Sequence, residues 1–154
     1  MNVMPIALAV HTTAAVVLVG GLFFAISVLR PSVQPLDVEL KLTLWRDTLT
    51  RFLPRSWIGL AMLIVTGHLM VRQVYAQLSN TPPFVRGMLL LAVLLALSFL
   101  YVQFVPWRRF ARAVQANDWN NAELAVNPLR VGLTVMLVLG VLTVLVGSGG
   151  RYFG

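Results

Sequence analysis

Residues 57–75 read WIGLAMLIVTGHLMVRQVY. A helix rises about 1.5 Å per residue, so about 20 apolar residues cross a hydrocarbon core of about 30 Å. The stretch therefore predicts a membrane span, and His68 lies inside it. An ionisable side chain at that depth is costly and usually faces a bundle interior, which makes it a candidate functional residue. The chain has two histidines, and the other, His11, also sits in an apolar run.

Composition agrees with this reading. Of 154 residues, 58% are hydrophobic and 11% charged, and the mean hydropathy is +0.83. A soluble domain carries about 25% charged residues, so a single transmembrane domain (residues 1–154) is expected. There are no cysteines, which excludes disulfides, iron–sulfur clusters and thiolate metal sites. The net charge of +7 does not point to nucleic acid, because the arginines flank apolar runs and form no patch interleaved with aromatics. No Lys or Arg precedes the first apolar run, so that run reads as a span and not as a signal peptide.

Four spans are expected, at about 4–29, 55–77, 84–105 and 128–146. Pro5 suits a first helical turn, and Arg30-Pro31 closes span one. The connection from Pro31 to Pro54 mixes Asp37, Glu39, Lys41, Arg46, Asp47 and Arg51 with leucines. Its alternation from Leu36 to Leu44 also fits a strand, but a lone strand has no partner. An amphipathic helix at the membrane interface is expected instead, with an Asp37–Lys41 pair and with Trp45 and Trp57 at headgroup depth. Ser79 to Pro83 reads as a turn, and Trp107 to Val114 as a basic amphipathic extension of span three. Ala122 to Val126 reads as a short helix, Pro128 as the first turn of span four, and Gly147 to Gly150 as its break. The fold class is all-α: an integral membrane four-helix bundle of up-down topology, with an interfacial helix between spans one and two.

Nine of the twelve basic residues (Arg30, Lys41, Arg46, Arg51, Arg55, Arg108, Arg109, Arg112 and Arg130) flank the first and third connections. Arg72, Arg86 and Arg151 fall on the other side. The positive-inside rule then places both termini in the periplasm of a bacterial inner membrane. Relative to span centres near residues 17 and 65, His11 lies about six residues toward the outside and His68 about three, a depth difference of about 5 Å. Adjacent antiparallel spans would thus bring two imidazoles to one ligand.

Imidazole suits copper, zinc or haem iron, and methionine is the soft donor that remains. The metal candidates are His11, His68, Met70 and Met4. Arg72, one turn beyond His68, and Arg86 at the start of span three would suit haem propionates, or would simply snorkel to headgroups. A histidine in a bundle is also satisfied by a carbonyl or a threonine, and Thr12, Thr13 and Thr66 are near. All five acidic residues lie in the basic connections, so there is no intramembrane carboxylate and no catalytic constellation to assign.

The first span, LAVHTTAAVVLVGGLFFAISVLRP, resembles the opening helix of the copper resistance protein D (CopD) family, with its His, a Gly-Gly about nine residues on, and a closing Arg-Pro. The segment VPWRRFARAVQANDWNNAELAVNPLRVGLTVMLVLGVLTVLVGSGGRYFG is similar to the later half of short, single-module CopD-like proteins. The resemblance implies a four-helix inner-membrane module handling copper, with His11 as the residue carried over. Leu18 or Val19 stands where that family usually has Trp. The fold also looks like that of HemJ-type haem proteins, whose Trp-Phe-Ala-Gly and Tyr-Leu-Pro-Arg patches this sequence lacks.

Two functions are therefore expected. One is copper transport or resistance through a two-histidine centre, with a periplasmic copper protein as partner. The other is a b-type haem protein with His11 and His68 as axial ligands, exchanging electrons with quinone. A third expectation is a ligand-free scaffold. Gly20, Gly21, Gly132 and Gly140 allow close helix approach, within one bundle or in a homodimer.

Overall fold

The structure, a computed structural model, describes residues 3–152. Helix α1 (Met4–Phe23) runs through a π-helical stretch (Phe24–Leu29) into the single turn α2 (Arg30–Ser32). Then come α3 (Val38–Tyr75), α4 (Pro83–Phe104), α5 (Pro106–Gln115) and α6 (Trp119–Gly149). Four helical runs, Met4–Ser32, Val38–Tyr75, Pro83–Gln115 and Trp119–Gly149, are long and apolar enough to cross a membrane. The protein is an all-α, multi-pass four-helix bundle, and there is no strand among the described residues.

Buried positions recur at three- and four-residue steps, the spacing of left-handed helix bundles. In α6 they are Ala122, Val126, Leu129, Leu133, Met136 and Gly140, with Gly132 beside them; in α1, Ala14, Leu18 and Leu22, with Ala7 two turns earlier. Glycine contacts give the register. Val102 faces Gly132, Met88 faces Gly147 and Phe84 faces Gly150, so α4 and α6 are antiparallel. The Phe52 ring occupies the space a Cβ at Gly21 would need, and Val19 lies against Gly140. The start of α1 and the end of α6 therefore share one end of the bundle.

The connection after span one is helical and amphipathic, as expected, but it is not a separate helix. It continues through Pro54 into span two as one 38-residue helix. At 1.5 Å per residue this is about 57 Å long, nearly twice the hydrocarbon thickness. Pro128 likewise lies inside α6, which starts at Trp119 and ends at Gly149, within the glycine stretch read as its break; Gly150 opens a closing 3-10 turn. Prolines are tolerated inside membrane helices because neighbouring groups satisfy the freed carbonyls. The π stretch precedes Pro31, which has no N–H to offer. Arg30 N–H bonds Ala25 O, five residues back.

The long extension of α3 buries Leu42, Trp45, Leu49 and Leu53 against Phe110 and Val114 of α5 and Ala122, Val126 and Leu129 of α6. Trp45 is fully buried inside the bundle. Its spacing from Leu42 and Leu49 puts it on the packed stripe. Trp57 is half-buried and meets the Phe99 ring edge-on at 4.8 Å, linking α3 to α4. The expected Asp37–Lys41 pair does not form; Lys41 instead reaches Glu123 at 3.8 Å. Asp118 begins α6 by accepting hydrogen bonds from the Asn121 backbone (3.1 Å) and side chain (2.6 Å).

Candidate metal-ligand site around His11

His11 falls between Ala7 and Ala14 on the stripe that α1 turns toward α3. Helix α3 answers with small residues, Ser56, Gly59 and Gly67, which let the two backbones approach. The His11 ring lies over Gly67: a Cβ there would sit 3.3 Å from Cε1 and 3.8 Å from Nδ1. His11 Nδ1 is 2.9 Å from Thr66 Oγ1, and the Thr66 hydroxyl is 2.5 Å from the Met62 carbonyl. A hydroxyl has one proton, and a carbonyl only accepts. Thr66 therefore donates to Met62 O, and His11 donates Nδ1–H to Thr66.

In the neutral imidazole this is the Nδ1–H tautomer, with the lone pair on Nε2. Metal-binding histidines use the same device: one ring nitrogen donates to a fixed oxygen, orienting the other toward the ion. Of the threonines near the histidines in sequence, Thr66 is the one that bonds the ring. Thr12 and Thr13 are exposed.

The two imidazoles do not converge. His68 follows Thr66 by two residues, a rotation of about 200° around α3, and it is exposed, with no partner among the described residues. The depth expected for the pair is right, since His11 lies level with Thr66 and Gly67. The rotation is not. Met70, one turn beyond Thr66, is on the His11 side of α3 and half-buried. Met4 opens α1 two turns before His11, also half-buried and with an interaction of its own. Arg72 is exposed on the His68 side, and Arg86 donates to Ser79 O at 2.7 Å, holding the turn between α3 and α4. The side chain of Arg151 lies outside the described residues.

Sequence reasoning gave Thr66 only the bland role of a nearby hydroxyl, and it missed Gly67. The small-residue pattern Ser56–Gly59–Gly67 was the available signal, because it marks the face that α1 covers. No group of three or more His, Cys, Asp or Glu arranged for a metal occurs among the described residues. A two-donor imidazole–thioether site lies outside that description. Compared with models of protein families, with curated proteins and with solved structures, the chain finds no match.

Proposed function

We propose that this chain is a CopD-like membrane protein that carries copper, with His11 Nε2 as the principal donor and Met70 assisting. The observation that supports it is the Thr66–His11 hydrogen bond, which engages Nδ1–H and leaves Nε2 of the neutral ring as the nitrogen able to donate to a metal. Copper(I) accepts low coordination numbers and favours imidazole with thioether sulfur. Met4, Met70 and His11 descend from the end where α1 starts, over about 10 Å along α1 from Met4 to His11. In this reading Met4 and Met70 pass the cargo inward to His11. The residues do not suit a haem held between His11 and His68, because His68 is turned away and Arg86 is engaged by Ser79.

The distribution of arginines further supports a bacterial inner membrane with both termini periplasmic, where a periplasmic copper protein would be the donor or acceptor. The test is competition for copper(I) between a chromophoric chelator and the detergent-purified protein. Wild type is expected to bind one ion. His11→Ala loses it, Met70→Leu weakens it, and His68→Ala leaves it unchanged. A wild type that binds no copper(I), or binding that survives His11→Ala, contradicts the proposal. A Soret band dependent on both histidines would instead return the haem reading.

A further inference from the structure

Where span three passes into its basic extension, α4, α5 and α6 leave between them a groove of about 510 Å³. Clefts that hold ligands run from about 300 to 1,000 Å³, so a small group and part of a chain fit here. Tyr101, Val105 and Pro128 line the end nearer the spans. Arg109, Arg112 and Asn121 line the end toward the α5–α6 turn. The two arginines are three residues apart on α5, so they leave one helix face with Cβ atoms about 5–6 Å apart.

The charge there is positive and uncommitted. Both arginines are exposed, and no acidic residue lines the groove among the described residues. The ion pairs of the described residues engage Lys41 and Arg46 instead. Asp118 adjoins the groove through Asn121, whose side-chain amide it accepts at 2.6 Å; two arginines against it still leave a net positive charge. Arg108, on the same helix, lies over the Phe104 ring at 4.6 Å and does not line the groove.

Depth and polarity select the occupant. The apolar run of α4 ends at Val105, and Arg109 and Arg112 follow it by about 6 and 10 Å along the helix. A headgroup layer is about 5–8 Å deep on each side of a bilayer, so both arginines stand near phosphate depth. Leu124, also in the groove wall, is 74% exposed, the most of any leucine among the described residues. It stands in the polar stretch from Asn120 to Asn127, where an acyl chain would remove its apolar surface from water. Basic pockets between membrane helices take anionic headgroups in this way.

We propose that the groove binds one anionic phospholipid, its phosphate on Arg109 and Arg112 and an acyl chain along Leu124, Pro128 and Tyr101. The site lies at the arginine-rich end, away from His11, and its occupancy does not depend on copper.

Thermal unfolding of the full chain in dodecyl maltoside tests this, with phosphatidylglycerol or phosphatidylcholine of matched chains mixed into the micelles. The wild-type midpoint is expected to rise more with phosphatidylglycerol. Arg109→Gln and Arg112→Gln together should weaken the apparent affinity about tenfold or more, since each basic residue beside an anionic lipid contributes about fivefold. Arg108→Gln should cost less than either groove substitution. Ala125→Phe, which fills the groove without changing charge, should also weaken the response. An equal rise with both lipids overturns the proposal. So does a loss in Arg108→Gln as large as in the groove variants, which would trace the effect to surface charge. A rise with inorganic phosphate over chloride, at equal ionic strength and as large as with phosphatidylglycerol, would mark a bare-anion site and overturn the lipid assignment. If Ala125→Phe does not fold, the arginine variants decide.

Discussion

Thr66 fixes which His11 nitrogen is free, because its own proton is committed to Met62 O. Thr66→Val keeps the shape and removes the acceptor. It should lower copper(I) affinity by about 10–100-fold, the usual loss when the partner of a ligating histidine is deleted. Thr66→Ser should retain most of the affinity, and chelator competition measures both. His11 itself was legible in the sequence, as an imidazole in an apolar run. Its partner was harder to read. Lipid-facing Ile64, Val65 and Leu69 are as apolar as the packed Leu60 and Val71, so hydrophobic periodicity does not reveal the rotation of α3. That is why the spacing placed His68 at the right depth and on the wrong side.

At the scale of elements, the prolines misled for a related reason. In water a proline inside a helix costs about 3 kcal/mol and marks a boundary. Pro54 and Pro128 instead lie inside α3 and α6. The Leu42–Trp45–Leu49–Leu53 stripe runs on into Ser56 and Leu60 without a break, and this continuity was visible in the sequence. Spin labels replacing exposed Glu39 and Arg72 should be about 50 Å apart if α3 is straight. A helix folded flat onto the membrane at Pro54 would give about 35 Å. The start of α6 makes a pH prediction. Hydrogen bonds from Asn121 hold the Asp118 carboxyl below its ordinary value of 3.8. A depressed carboxyl stabilises the fold above the unfolded-state value and loses that contribution as pH falls through the native one. Asp118→Ala should therefore lower the unfolding midpoint at pH 6 and have little effect near pH 2, as read by circular dichroism.

Across the whole molecule, fully buried large side chains include Phe99, Leu133 and Met136 within the spans and Trp45, Leu42, Leu49, Phe110 and Leu129 at the arginine-rich end. There the α3 extension leaves the hydrocarbon, and burial from water stabilises by about 25 cal/mol per Å². Within the bilayer that gain vanishes, since lipid is as apolar as leucine. The span count was legible from hydropathy, because it depends only on length and composition. The packed core of the connections was not, since it needs α3, α5 and α6 together. The chain has no cysteine, so single cysteines report topology without background. A membrane-impermeant maleimide added to intact cells should label Asn80→Cys and spare Gln34→Cys and Asn117→Cys; the reverse would invert the orientation.

The central claim is that His11 stands neutral, protonated at Nδ1 and ready to donate from Nε2. Long-range ¹⁵N–¹H NMR of histidine-labelled protein, recorded before and after one equivalent of copper(I), tests it most directly, with His68→Asn to assign the rings. The account predicts an unprotonated Nε2 on His11 whose resonance shifts on copper addition while Nδ1 keeps its proton. A His11 protonated at Nε2, or one whose resonances ignore copper(I), would contradict it.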